Sequence, residues 1–365
     1  MMAEPINIGV VGCGYWGPNL IRNFSMLPES IVKTACDRDE SRLAHMQKLY
    51  QTNTETNFDA LVNDPDIDAV VIATPVSSHY ELGKRSLEAG KHLFIEKPLT
   101  QMTRQGHELI RLAAEKNLVL MVGHTFIYSA PVRKIKEIVD SGEIGDLLYI
   151  SSQRLNLGLF QKDINVAWDL APHDISIILH IMGKNPESVN CQGEKHIHRQ
   201  IEDVTNMSLN FSNGGFATIL SSWLDPNKVR RMTFVGSKKM ILYDDNESNE
   251  KIRIYDKHVE MPAYYDTFGE FNYAYHYGDM YSPYIRQEEP LKVQCQHFID
   301  CIKNRTACFS SGTEGLEVVK ILEAASLSIK NGGMKISLQN LTEPQQINYP
   351  LDHASLPELR AAGKV

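Results

Sequence analysis

The stretch that decides the fold is Ile6-Asn7-Ile8-Gly9-Val10-Val11-Gly12-Cys13-Gly14-Tyr15-Trp16-Gly17. Its first half is apolar and β-branched, which is typical of a strand buried on both faces. Its second half has the spacing G-x-G-x-x-G, and residues 18–27 repeat apolar side chains with helical spacing. In this motif Gly12 permits the tight turn, Gly14 lets a pyrophosphate approach, and Gly17 lets helix pack on strand. Strand, glycine turn and helix in this order predict a dinucleotide-binding site.

An acidic residue follows the glycines at the expected distance. Asp37 ends the apolar run 31–36, roughly 20 residues beyond Gly17, where a carboxylate binds the ribose hydroxyls of the cofactor. Because this carboxylate would repel the 2′-phosphate of NADP, the expected cofactor is NAD. Arg38 opposes this preference, since an arginine there could stack on adenine or take a phosphate.

Composition excludes several classes of protein. The chain has 365 residues and a net charge of −8, which argues against a protein that coats nucleic acid or an anionic membrane. No apolar run approaches the ~20 residues that span a bilayer, and the first strand begins too early for a signal peptide. The six cysteines contain no C-x-x-C pair. This pattern suits a protein of the reducing cytoplasm, and no metal site is expected.

The order of predicted elements gives an α/β protein of two domains. Strands and helices alternate through the first part, which predicts a doubly wound parallel sheet of the Rossmann type. Longer, alternating strands follow and indicate a second α/β domain with a large, mostly antiparallel open sheet. The predicted boundaries are 1–125 for the nucleotide-binding domain, 126–342 for a substrate and oligomerisation domain, and 343–365 for a C-terminal tail.

Polar residues follow two of the predicted strands, at the edge where parallel sheets bind ligands. One strand ends in Ala73-Thr74-Pro75, with His79 soon after, and the next ends in Glu96-Lys97-Pro98. A lysine at this edge could stabilise negative charge on a reacting oxygen, although such pairs are often only exposed ions. The predicted cofactor contacts are Gly12, Gly14, Tyr15, Trp16, Gly17, Asp37, Arg38, Thr74, Pro75, His79, Glu96 and Lys97.

A second group of polar residues lies in Trp168-Asp169-Leu170-Ala171-Pro172-His173-Asp174. If a helix begins at Asp169, His173 lies one turn further on the same face, and Pro172 falls in the first turn. Carboxylate and imidazole at this spacing suit a general base that is oriented by an acid. The alternative, in which Asp169 caps the helix and His173 is merely packed, is equally compatible with the local pattern.

Taken together, these motifs resemble the Gfo/Idh/MocA family of sugar and polyol oxidoreductases, over nearly the whole chain to about residue 341. The resemblance implies a Rossmann domain, an open-sheet domain used in dimers or tetramers, a nicotinamide cofactor, and Lys97, Asp169 and His173 as catalytic residues. One departure from the family is that His124 is followed by Thr125, where members often carry Asn. This departure puts one substrate contact in doubt.

The sequences around Trp16 and Trp168 are similar to those of one branch of that family. This branch includes enzymes that oxidise the 3-hydroxyl of UDP-N-acetylglucosamine or its uronate. The resemblance therefore implies a sugar-nucleotide substrate and a keto product suited to an aminotransferase as metabolic partner. The alternatives are a dehydrogenase of free polyols such as myo-inositol and a non-catalytic, NAD-binding regulator. The predicted substrate contacts are Lys97, Tyr128, Arg154, Trp168, Asp169 and His173.

Two further features bear on the substrate. A diphosphate needs cationic partners, for which Arg154, Lys162, Arg230 and Arg231 are candidates. The stretch Ala263 to Tyr284 holds seven of the 15 tyrosines. Such clustering predicts either a subunit interface, which we favour, or a ligand-facing loop.

Overall fold

The computed structural model describes residues 4–161, 163–212, 214–260 and 274–340. The C-terminal tail, Lys162 and the first part of the tyrosine-rich stretch lie outside these residues. Among the described residues no helix is both long enough and apolar enough to cross a bilayer.

The first sheet has six parallel strands in the order β3-β2-β1-β4-β5-β6. Their bounds are β1 Ile6–Val11, β2 Ser30–Cys36, β3 Asn53–Glu55, β4 Ala69–Ile72, β5 His92–Glu96 and β6 Leu120–Gly123. Five helices alternate with them: α1 Gly17–Ser25, α2 Glu40–Tyr50, α3 Phe58–Val62, α4 His79–Glu88 and α5 Thr103–Glu115. The strand order reverses between β1 and β4, and this switch point is where doubly wound sheets bind nucleotides. The predicted Rossmann sheet is confirmed.

The second sheet has nine strands in the order β14-β13-β12-β11-β7-β10-β9-β8-β15. Neighbours are antiparallel except β7 and β10, which are parallel. The strands are β7 Leu147–Leu155, β8 Ser188–Glu194, β9 Val204–Asn210, β10 Phe216–Ser222, β11 Val229–Gly236, β12 Met240–Asp244, β13 Ile252–Glu260, β14 Ala274–Tyr281 and β15 Ile336–Ser337. The helices of this half are α6 Ala130–Asp140, α7 Val166–Met182, α8 Pro290–Asn304 and α9 Gly312–Lys330. Helices α7 and α9 cover one face of this sheet. Every second side chain of β9 is therefore buried, while those between are more exposed.

Helix α8 does not stay with the second sheet. Its Phe298 packs edge to face against Phe94 of β5 and Phe24 of α1, with ring centroids 5.7 Å and 6.1 Å away. All three rings are fully buried. The core of the first sheet is therefore completed by a helix from the C-terminal third of the chain, on the far side of the predicted boundary at residue 125.

Helix α7 begins earlier than the sequence analysis predicts. It starts at Val166, because Asn165 caps it by accepting a 3.1 Å hydrogen bond from the Trp168 amide. The expectation that Asp169 begins or caps the helix is wrong, and Pro172 lies in the helix interior. Asp169 and His173 are nevertheless one helical turn apart, so the predicted shared face is retained.

Candidate active site

The glycine turn has the geometry that its spacing predicts. Gly12 has a φ of +95°, and a Cβ on Gly17 would lie 1.9 Å from the Gly12 carbonyl oxygen. A Cβ on Gly14 would meet only an Arg42 guanidinium nitrogen, 3.7 Å away. Helix α1 begins directly beyond this open space without a side-chain cap. Its N-terminus and the bare backbone at Gly14 suit a pyrophosphate.

A cleft of about 1360 Å³ opens at this turn, along the carboxyl edge of the first sheet. Eight of the predicted cofactor contacts line it: Gly12, Gly14, Tyr15, Trp16, Asp37, Arg38, Thr74 and Pro75. Tyr15 is 90% exposed at its mouth. The cleft fits a dinucleotide in size, in its glycine-lined floor and in the position of its acid. Gly17, His79, Glu96 and Lys97 do not line it.

Asp37 is tied to the glycine turn as well as being open to the cleft. Its carboxylate accepts hydrogen bonds from the Cys13 amide at 2.6 Å and the Asp39 amide at 3.0 Å. Arg42 of α2 lies 3.7 Å from the same carboxylate. Arg38 was predicted as a cofactor contact and Arg42 was not, although its position in the first turn of α2, soon after Asp37, could have indicated it.

His79 joins the ends of two neighbouring strands. Its Nδ1 lies 2.8 Å from the carbonyl oxygen of Pro98, and its Nε2 lies 2.9 Å from that of Thr74. Burial lowers the pKa of this imidazole, while its contacts with the two backbone carbonyl groups oppose the shift. His79 does not line the cleft itself, but it holds the backbone of Thr74, which does.

Lys97 leaves the end of β5 and reaches the second half of the chain. Its ammonium group donates a 3.0 Å hydrogen bond to the carbonyl oxygen of Asp169 and lies 4.0 Å from the carboxylate of that residue. Burial lowers the pKa of Lys97, while the carboxylates of Asp169 and Glu96 oppose the shift. Glu96 is buried beneath it, and burial raises its pKa to about 7.

The Asp169 carboxylate is held from its other side. The indole Nε1 of Trp223, just beyond β10, donates a 3.0 Å hydrogen bond to it. This tryptophan is almost fully buried, which fixes the direction from which the bond comes. No local pattern around Trp223 pointed to this contact, because 54 residues separate the partners.

His173 is half-buried and lies in a positively charged environment. Burial lowers its pKa well below the ordinary 6.5, and the charges of Lys97 and Arg154 lower it further. Its Nδ1 is buried without a hydrogen-bond partner in the described part of the chain. The ring packs against Phe126, with centroids 4.9 Å apart. His173 is therefore a neutral imidazole at neutral pH and is able to accept a proton.

Three of the residues predicted as substrate contacts already have partners within the protein. Arg154 is buried and makes a bidentate ion pair with Asp174 at 2.9–3.2 Å, so its charge is already compensated. The Tyr128 hydroxyl hydrogen-bonds to His297 and Ser310, and the Trp168 indole donates to Ser326 of α9. These partners were not foreseeable from neighbouring residues.

The remaining predicted cations are partly available. Arg230 pairs with Asp245 at 3.4 Å and Arg231 with Asp244 at 3.1 Å, and both side chains remain at least 36% exposed. The positive charge of Arg230 also lowers the pKa of His173, which places it in electrostatic range of the site. Thr125, the departure from the family pattern, donates to Gln294 of α8 at 2.8 Å.

Comparison with known proteins agrees with this geometry. Residues 6–124 match the family model described as "Oxidoreductase family, NAD-binding Rossmann fold", and residues 132–242 match the GFO/IDH/MocA C-terminal domain. The chain is 27% identical to UDP-N-acetylglucosamine 3-dehydrogenase of Acidithiobacillus ferrooxidans, over 88% of this chain and 95% of that protein. It is 26% identical to myo-inositol 2-dehydrogenase of Thermotoga maritima, over 89% and 96%.

Solved structures share the fold. A structure of the Acidithiobacillus enzyme, GnnA, superposes with a TM-score of 0.74 at 22% identity, covering 90% of this chain and 99% of that one. GenD2 from gentamicin A biosynthesis, solved in complex with NAD, superposes with a TM-score of 0.77 at 20% identity, covering 92% and 97%. With both domain models matched, the chain belongs to the GFO/IDH/MocA family of NAD-binding oxidoreductases.

Proposed function

We propose that this protein is an NAD-dependent dehydrogenase that oxidises the 3-hydroxyl of a UDP-N-acetyl-hexosamine, or of its uronate, to the 3-keto sugar nucleotide. The observation that carries the reaction class is the contact of Lys97 with Asp169, beside a neutral His173 and next to the dinucleotide cleft. The sugar nucleotide is supported by the relationship to the Acidithiobacillus enzyme over nearly its full length.

The proposed chemistry divides between the three side chains. Bound NAD would supply the hydride acceptor, held by the glycine turn and Asp37. His173 would take the hydroxyl proton on a ring nitrogen, because its low pKa keeps that nitrogen unprotonated. Lys97 would hydrogen-bond the reacting oxygen and stabilise the negative charge that develops there. Asp169, held by Trp223, would orient the lysine.

A free polyol such as myo-inositol is the second candidate substrate. It is favoured because the positive charges near the site are already neutralised by the protein. Arg154, Arg230 and Arg231 are all paired with aspartates. A diphosphate would have to compete with those carboxylates, whereas a neutral polyol would not. Of the three arginines, Arg230 is the best candidate for a phosphate contact.

A substrate panel distinguishes these candidates. We expect the purified protein with NAD to form NADH with UDP-N-acetylglucosamine, its epimer or their uronates, and not with myo-inositol or free hexoses. Mass spectrometry should show the loss of two hydrogens from the UDP-sugar, in proportion to the NADH formed. If NADH formed with inositol and not with any UDP-sugar, the polyol would be the favoured substrate instead. Bound NAD with no turnover on any substrate would favour the non-catalytic regulator.

The choice of cofactor gives a separate prediction. Asp37→Ser should lower kcat/KM for NAD by roughly 10- to 100-fold, the effect of losing a charged hydrogen bond of about 1.5–3 kcal/mol. The relative efficiency with NADP should rise, because the repelling carboxylate is gone and Arg42 loses one of its two carboxylate partners. Steady-state kinetics with both cofactors measures the change. Asp66→Ser is the matched control, since Asp66 is an exposed aspartate that also pairs with a cation, Lys33, but does not line the cleft. Equal or better efficiency of the wild type with NADP would refute the assignment.

The proposal extends to partners. A keto sugar product can be consumed by an aminotransferase that converts the ketone to an amine. Self-association through the outer face of the second sheet is supported by Tyr149 and Phe216, which face each other across β7 and β10 and are 43% and 37% exposed. We therefore propose a homodimer or homotetramer.

A further inference from the structure

A cluster of side chains with metal-binding chemistry lies outside the cleft, on the antiparallel pair of β13 and β14. Asp256, His258 and His276 each bring one potential ligand atom within 4.8 Å of the others. No other group of three histidine, cysteine or acidic side chains meets this condition among the described residues. From this cluster we propose that the strand pair binds one divalent transition-metal ion, with zinc as the reference ion and solvent completing the coordination.

Strand pairing creates the cluster. His258 and His276 are directly opposite each other in the antiparallel register, and Asp256 precedes His258 by two residues on the same strand. The register shifts between Tyr255 and Lys257, so Asp256 sits at an irregularity that turns its side chain towards the neighbouring strand. All three groups therefore reach one side of the strand pair.

Gly278 leaves the space that the Asp256 carboxylate occupies. A Cβ at this position would lie 2.2 Å from the Asp256 Oδ2 atom. Over the glycine, the carboxylate reaches the Nε2 atom of His276 at 3.0 Å. Two ligand atoms of a tetrahedral zinc ion, with bonds of about 2.0–2.1 Å, lie about 3.3 Å apart. The pair is thus close to the separation that a shared ion requires.

The hydrogen bonding of His258 leaves a suitable lone pair. Its Nε2 lies 3.1 Å from the Glu260 carboxylate, to which a neutral imidazole donates. Its Nδ1 is buried and has no hydrogen-bond partner among the described residues. Histidine ligands usually donate their second ring nitrogen to a carboxylate in this way, which fixes the tautomer. The arrangement leaves the unprotonated Nδ1 of His258 available to a metal ion.

The donor set selects the class of ion. Two imidazoles and one carboxylate suit zinc, nickel, copper or iron(II), whereas magnesium and calcium prefer oxygen ligands alone. The charges of Asp256 and Glu260 also balance those of a divalent ion. Because β14 is the edge strand of the sheet, such an ion would fasten it to β13.

The test compares zinc binding by the wild type with that of His258→Gln and His276→Gln, by calorimetry on the full chain after treatment with a chelator. We expect the wild type to bind one equivalent more than either variant. His196→Gln is the matched control, because His196 also pairs with an aspartate, at 2.7 Å from Asp203, and it should bind as the wild type does. Zinc taken up by thiols is common to all four proteins and cancels in the comparison.

Cobalt provides a second readout. Tetrahedral cobalt(II) at this site should give visible absorption that both histidine variants lose and His196→Gln retains. Asp256→Asn keeps the shape of the side chain and should weaken binding without removing the strand pair. If the wild type and all variants bind the same number of equivalents, the cluster is only a pair of surface ion pairs and the proposal fails.

Discussion

Replacing Lys97 by methionine should lower the turnover of this protein by about 10²–10³-fold, which is the usual effect of removing one group that stabilises a developing oxyanion. Methionine keeps the length and apolar volume of the side chain but removes its partly buried cation. Binding of NAD should persist, because Lys97 does not line the cofactor cleft. Stopped-flow measurement of NADH formation, with NAD affinity measured separately, distinguishes the two effects.

Lys91→Met is the matched control for this experiment. Lys91 is a buried lysine that likewise donates to backbone carbonyls, at 2.8 Å to Asp64 and 2.7 Å to Ile67. It precedes the same strand, β5, but lies at the end opposite to the cleft. Its replacement should lower stability and leave the chemical step unchanged. Equal losses of turnover in both variants would show that Lys97 acts only through the fold.

His173→Asn should lower turnover by about 10²–10⁴-fold, the range that general-base catalysis contributes. Asparagine can still hydrogen-bond to a hydroxyl but cannot take its proton. In the wild type, burial and nearby cations hold the pKa of His173 well below 6.5. The oxidation rate should therefore stay level as the pH falls to 6.5 and decline only below it, as the base becomes protonated. This decline should disappear in the variant.

His180→Gln is the control on the same helix, since His180 is likewise half-buried with a pKa lowered by burial. An independent readout is the pKa of His173 itself, followed by NMR titration. Lys97→Met should raise it, because one of the positive charges that lower it is removed. Near-normal turnover of His173→Asn would exclude this histidine as the base.

The parts of the site that could be predicted from sequence are those in which neighbouring residues decide the geometry. The glycine turn, Asp37 and Lys97 follow directly from strands whose apolar composition is clear, and parallel pairing then brings them to one edge. The start of α7 was also within reach, because Asn165 before an apolar run is a recognisable cap.

Contacts between distant segments were beyond sequence reasoning. Two contacts depend on how the second sheet packs against α7: the hydrogen bond from Trp223 to Asp169 and the ion pair of Arg154 with Asp174. Arg154 appeared free for a phosphate because nothing near it in sequence showed its partner. The juxtaposition of Asp256, His258 and His276 was beyond sequence reasoning for the same reason: spacing rules search for ligands along one segment, whereas His258 and His276 meet only through strand register.

The origin of Phe298 in α8 has a consequence for synthesis on the ribosome. The six-stranded sheet is encoded by the first third of the chain, yet its aromatic core includes a side chain from near the end of the described residues. Until α8 emerges, Phe24 and Phe94 lack the ring that covers them, and the nascent nucleotide-binding half exposes an apolar surface. A chaperone that shields such a surface would have to hold it while strands β7 to β14 of the second sheet are translated. The order of synthesis and the order of core completion are thus opposed in this protein.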